Sequence, residues 1–203
     1  MEEDYPKIAS GREWHLVRRF VHVLLSIAAL YYWLPDPLIE GFRKWYLLII
    51  GLAIIALIEF LRFRKRVSLP WLRPYEEGRI ASHTYAAVST VIVLTLAPDI
   101  IGAPAIVGMA LADPVAGELR MRKISGRRVR ALTGIVYGLI AFRVMMTIST
   151  DFAIVLPLVT IMSIVAVISE NPDYKYFDDD FTMIAFPTLA GYVTLALMLM
   201  TRV

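Results

Sequence analysis

Residues 43–66 read RKWYLLIIGLAIIALIEFLRFRKR, an apolar run closed at both ends by Lys and Arg and holding one acid, Glu59. A run of this length crosses the ~30 Å hydrocarbon core as an α-helix. No other open structure satisfies its own backbone polar groups there. Comparable runs lie on both sides of this one at 43–61: near 17–34 before it, and near 84–98, 100–117, 131–149, 152–169 and 181–201 after it. The pattern predicts an all-α, polytopic helical membrane protein of about seven transmembrane helices. Only Pro98 and Asp99 separate the third run from the fourth. A tight reversal there gives seven crossings, whereas a re-entrant segment gives six.

Composition agrees with this reading. Of 203 residues, 58% are hydrophobic and the mean hydropathy is +0.63, above the roughly 45–50% apolar usage of soluble domains. Nothing resembles an interdomain linker, so the expected organisation is a short polar segment over 1–16 and a single transmembrane domain over 17–203. The polar start, followed by a run long enough to span, argues against a cleavable signal peptide. With no Cys, disulfides and thiolate metal sites are excluded. Gln is absent too and Asn171 is the single Asn, a depletion of thermolabile residues that points to a hot habitat. The net charge of +3 is carried in short basic clusters between apolar runs, which suits a bilayer surface as partner and not a nucleic acid.

Those clusters also set an expected orientation. With a cytoplasmic N-terminus, 17 of the 21 basic residues fall on the inner side, as the positive-inside rule requires. They are Lys7, Arg12, Arg18 and Arg19 at the start, Arg62 to Arg79 between the second and third runs, Arg120 to Arg130 between the fourth and fifth, and Lys175. Arg43, Lys44 and Arg202 fall outside, and Arg143 lies within the fifth run.

Five constellations then gather at the inner face. Arg18, Arg19 and His22 sit at the mouth of the first helix, with 18 and 22 on one helical face. The arginines alone are compatible with snorkelling to lipid, but an ionisable His inside an apolar run is costly and usually functional. Glu59 lies one turn inside the second helix and either pairs with Arg62 or belongs to the site. The loop after it carries Glu76, Glu77 and Arg79, with Thr84 opening the third helix. Asp113-Pro114 falls inside a membrane-level segment, where the proline is expected to break the backbone ladder and the carboxylate needs a cation or a donor. Lys123, Arg127, Arg128, Arg130 and Gly134 surround the start of the fifth helix. Helix N-termini with basic residues bind anions, while Gly134 and Gly138 equally suit a small-residue packing face. Last come Glu170 and Asp178-Asp179-Asp180. Adjacent carboxylates repel unless neutralised, and Mg²⁺ or another divalent cation commonly bridges carboxylates to phosphates. Asp178 reads as a helix cap, and Asp113, Glu170, Asp179 and Asp180 as the metal ligands. Acids for a metal and bases for phosphates at one membrane face point to phosphoryl or nucleotidyl transfer to a lipid.

At these residues the chain resembles the family of CTP-dependent lipid kinases that includes dolichol kinase, phytol kinase and yeast-type diacylglycerol kinase. Arg18, Arg19 and His22 match the family's basic pair and His. Glu76-Glu77-Gly78-Arg79-Ile80 with Thr84-Tyr85 is similar to its Glu-Lys-Gly-Arg-Ile segment before a Thr-Tyr. Ala112-Asp113-Pro114-Val115-Ala116 looks like its Gly-Asp-Pro-x-Ala motif, Arg130 to Gly138 like its Lys-Ser/Thr-x-Glu-Gly-Ser-x-x-Gly segment, and Asp178-Asp179-Asp180 like its late Asp-Asp-Asn. The likeness covers nearly the whole chain. It departs at Ala112, Ala131, Thr133, Ile135 and Asp180, and at Arg120, where the family usually has glycine.

The resemblance implies a kinase moving the γ-phosphoryl group of CTP to a polyprenol, dolichol-like, other isoprenoid or diradylglycerol lipid. Asp113, Arg18, Arg19 and His22 would be the catalytic group. Lys123, Arg127, Arg128, Arg130 and Gly134 would bind the nucleotide, and Mg²⁺ or another divalent cation would be required. A cytidylyltransferase making a CDP-lipid is the nearest alternative. A transporter is a more distant one, since carboxylates near mid-membrane are missing.

Overall fold

The computed structural model describes residues 12–65, 69, 72, 76, 78–170 and 178–201, with residues 12–15 in backbone course only. It is all-helical, with no strand among the described residues. Seven α-helices follow one another: α1 (Arg12–Leu25), α2 (Trp45–Phe63), α3 (Ser82–Leu96), α4 (Asp99–Met121), α5 (Gly126–Ile148), α6 (Phe152–Ser169) and α7 (Asp179–Met200). A 3₁₀ helix, Ser26–Trp33, prolongs α1. Six of these runs are long and apolar enough to cross a membrane, the first being Leu16–Trp33 with its 3₁₀ extension. The exception is α3, whose 15 residues reach only about 22 Å at 1.5 Å per residue. Large apolar side chains such as Phe20, Ile54, Leu139, Ile164 and Leu197 stand exposed on the outside, as side chains facing lipid do.

The central element is α4, 61% buried against 11% for α2. Small residues explain its position. Gly102, Ala103, Ala105, Gly108, Ala110, Ala112 and Ala116 are all buried, which lets neighbouring backbones approach closely. Around α4 stand α5, α7, α1 and the 3₁₀ turn. On the far side of α5 and α7 lies α6, and α2 rests on α3 at the edge of the bundle. Two contacts show how the approach is used. The Tyr32 hydroxyl lies 3.0 Å from the Val93 carbonyl and 3.1 Å from that of Ala97. A Cβ on Gly102 would collide with that hydroxyl.

The structure corrects one expectation. Asp113-Pro114 does not break α4, which continues for another two turns to Met121 with Pro104 and Pro114 both inside it. A proline removes a single donor, here the one that would serve the Ala110 carbonyl, and packing on every side of α4 outweighs that loss. Helices α5 and α7 also begin earlier than their apolar runs, at Gly126 and Asp179. Their first turns therefore carry the charged residues.

Candidate functional site

Each helix contributes to the charged end through the terminus its direction dictates: the starts of α1, α3, α5 and α7 and the ends of α2, α4 and α6. The centre of that end is His22, which is buried. Its Nε2 lies 3.4 Å from Asp113 Oδ2 of α4 and 3.3 Å from Asp180 Oδ1 of α7. Its Nδ1 lies 3.0 Å from the Arg18 carbonyl oxygen one turn back. Residues 22, 113 and 180 thus meet across three helices. Because Nδ1–H donates to a carbonyl, the ring is fixed with Nε2 aimed at the two carboxylates. Metal-bound histidines are typically oriented in this way.

Two sets of ligand atoms lie within 4.8 Å of one another, His22 with Asp113 and Asp180, and Asp178 with Asp179 and Asp180. Asp180 belongs to both. One imidazole nitrogen with several hard carboxylate oxygens is a donor set that suits a divalent cation. Asp178 also caps α7, its side chain accepting from the Asp180 amide at 3.1 Å. The acids of this first turn favour the positive end of the α7 dipole. Burial, reinforced by the hydrogen bond and the charge of Asp179, pushes the Asp178 carboxyl up to about 8.

The rim is held by ion pairs. Arg19 reaches Glu118 at 2.7 Å, and Arg122 reaches the same acid at 3.1 Å. Arg18 points to Ser82 Oγ at 3.4 Å. Arg120 bonds Glu170 at the end of α6. Glu170 thus pairs with Arg120 through one oxygen and lies outside both sets of clustered ligand atoms, while its other oxygen is buried with no partner among the described residues. Burial pushes its carboxyl up to about 7 against the opposing charge of Arg120.

The remaining expected residues separate by position. Glu59 is a structural anchor. It takes both Arg62 nitrogens, at 2.8 Å for Nε and 2.6 Å for Nη2, and the Ala81 amide at 2.9 Å. Arg62 in turn donates to the carbonyls of Glu76 and Arg79, and Glu76 accepts from Ser82. These bonds fix the start of α3. Arg79 is exposed, and the Thr84 hydroxyl is buried with no partner among the described residues. Glu77 lies outside the described residues. Lys123, Arg127, Arg128 and Arg130 are exposed around the start of α5, with Lys123 at a positive φ of 57°. Gly134 packs closely, since a Cβ on it would lie 2.5 Å from Val167 of α6. Its place is the α5–α6 interface.

Ser82 and His83 are additions that the sequence reading did not single out. With Arg18, His22 and Glu76 they line a cavity of about 20 Å³, room for roughly one water. A His one residue inside a helix start gives no local signal, and only its spacing to Ala87 and Thr90 places it on an inward face.

No protein-family model matches the chain, nor does any curated protein or any solved structure.

Proposed function

We propose that this chain is a membrane lipid kinase that moves the γ-phosphoryl group of CTP to the hydroxyl of a lipid alcohol, at the cytoplasmic face. The observation that carries the reading is the meeting of His22, Asp113 and Asp180, from α1, α4 and α7, beside arginines at one end of a helical bundle. A divalent cation held by Asp113, Asp179 and Asp180 would neutralise charge on the transferred group and on the leaving diphosphate. Arg127, Arg128 and Arg130 sit at the open amides of the α5 N-terminus, an arrangement suited to holding phosphates. In the transfer, the lipid oxygen bonds to the γ-phosphorus as the bridge to the β-phosphate breaks and CDP leaves. The hydroxyl proton passes to a carboxylate of the site. The membrane position brings a lipid head group and a water-borne nucleotide to the same place.

Purified protein incubated with mixed lipids and either γ- or α-labelled CTP tests this directly. Label from the γ-position is expected on the lipid. Transfer of α-label with release of pyrophosphate would make the protein a cytidylyltransferase, and transfer of neither would reduce the arginines to membrane flanks. Asp113→Asn and Asp180→Asn are each expected to lower turnover at least about a hundredfold. The double variant should be little worse than either single one, because the two groups act as a unit.

A further inference from the structure

Arginines at the charged end differ in how much of the guanidinium the protein uses. Every nitrogen of Arg62 is taken: Nε and Nη2 by Glu59, Nη1 by the Glu76 carbonyl, and Nη2 also by that of Arg79. A fork filled in this way is structural. Arg120, in the last turn of α4, gives only Nη2 to Glu170, and its other nitrogens have no partner among the described residues. Its side chain is 30% exposed, whereas that of Glu170 is 1% exposed. One arm of the fork is thus fixed on a buried acid while the rest stands open. A guanidinium presents its donors in a rigid plane matched to phosphate and carboxylate. Anchored with donors to spare, it is a site for a second anion.

The position of Arg120 says which anion. It follows Asp113 by two helical turns, so the two share a face of α4 about 10 Å apart along its axis. Helical side chains lean toward the N-terminus, which turns the Arg120 side chain back toward Asp113. Between them on that side lies Gly117, where a Cβ would meet nothing within 4 Å. The charges of Asp113 on α4, Asp179 on α7 and Arg130 on α5 all act on Glu170. The Arg120–Glu170 pair therefore stands between the acids and the basic start of α5. Arg120 and Arg130 together outweigh Glu170 there, and the rim stays positive.

We propose that Arg120 is a phosphate subsite of the nucleotide, holding its bridging phosphates between Asp113 and the arginines that open α5. This rests on the kinase reading of the charged end. A triphosphate with its transferred group at Asp113 and Asp180 must cross the open face beside Gly117 to reach Arg127 and Arg128. Arg120 is a cation that it meets on the way, and Glu170 is the positioning residue that keeps the guanidinium there. Because negative charge grows on the leaving diphosphate during transfer, a cation at that point binds it more tightly as the bond breaks.

The test titrates the full chain, in nanodiscs of a zwitterionic lipid with Mg²⁺ and no lipid alcohol, with tripolyphosphate and with CDP in a calorimeter. Arg120→Lys keeps a charge beside Glu170 and should leave the melting temperature unchanged. It should weaken both ligands about tenfold, since one ammonium cannot bridge an acid and a phosphate as a fork does. Gly117→Leu alters no charge and its Cβ meets no neighbour, yet by filling the open face it should weaken both ligands by a comparable factor. Unchanged affinity in either variant would overturn the proposal, as would a wild type that binds neither ligand. Discs rich in anionic phospholipid separate nucleotide from lipid phosphate. The difference between wild type and Arg120→Lys should persist in them, and its disappearance would give the guanidinium to lipid head groups and overturn the assignment. Binding is read without turnover. Weakened tripolyphosphate binding in Arg120→Lys with no label transfer from CTP by the wild type upholds the subsite and sinks the kinase, while transfer at undiminished kcat/KM in Arg120→Lys does the reverse.

Discussion

Two carboxylates beside one buried imidazole, one of them buried and the other partly so, set the chemistry at the scale of single residues. Asp180 is almost fully buried and Asp113 is 16% exposed at its side chain, so each charge needs a counter-charge at close range. His22 or a cation supplies it. Glu170 solves the same problem differently, through an arginine fifty residues away. Its carboxyl sits at about 7, raised from 4.5 by burial. A carboxyl whose folded value is raised contributes stability that is complete below its unfolded value and is lost as pH rises through the folded one. The protein is therefore expected to lose thermal stability between pH 4.5 and about 7 when no divalent cation is added. Glu170→Gln should flatten that slope by up to ~3 kcal/mol. Asp178, raised to about 8, would account for a remaining slope toward higher pH. Equal slopes in the wild type and in Glu170→Gln, followed by circular dichroism on heating, would contradict the assignment.

At the scale of elements, Gly134 offers a clean separation between packing and nucleotide binding. It sits against Val167, and Gly138 sits against Ser163. Gly134→Ala must shift a β-branched side chain on α6, at a cost of about 1 kcal/mol or more. The expected result is a lower melting temperature with CTP affinity unchanged, checked by thermal denaturation and by nucleotide titration. A change in affinity with stability intact would return Gly134 to the phosphate site. Helix positions were legible in the sequence because a bilayer imposes a length and an apolar content that any reader can count. Helix ends were less so, since Arg127, Arg128 and Asp179 extend α5 and α7 with residues that an apolar window discards. Pro114 was misleading for a related reason. Its local rule is strong, but the tertiary packing that overrides it is invisible from neighbours in sequence. The pairing of Glu59 with Arg62 was legible because it is one turn long. The pairing of Arg120 with Glu170 was not, because nothing local encodes it.

For the whole molecule, the charged residues define one end of the bundle. His22, Asp113, Asp180, Glu170 and the Glu59–Arg62 pair share one end, and the turn carrying Asp36 and Lys44 lies at the other. The arginines that flank these acids are attracted to an anionic lipid surface. The basic clusters favour that surface being cytoplasmic. The chain has no cysteine of its own, so single cysteines report without interference. Gly78→Cys and Ile124→Cys lie in the links α2–α3 and α4–α5, and Leu38→Cys lies in the link before α2. In intact cells, an impermeant thiol reagent should label only the cysteine at 38, and those at 78 and 124 should react only after the membrane is opened. Labelling of 78 and 124 from opposite sides would break the bundle itself, because both positions adjoin helix ends that meet around His22. Labelling of both from outside with 38 protected would keep the bundle and invert it. The site would then face away from cytoplasmic CTP, and the kinase reading would fail on supply of its nucleotide.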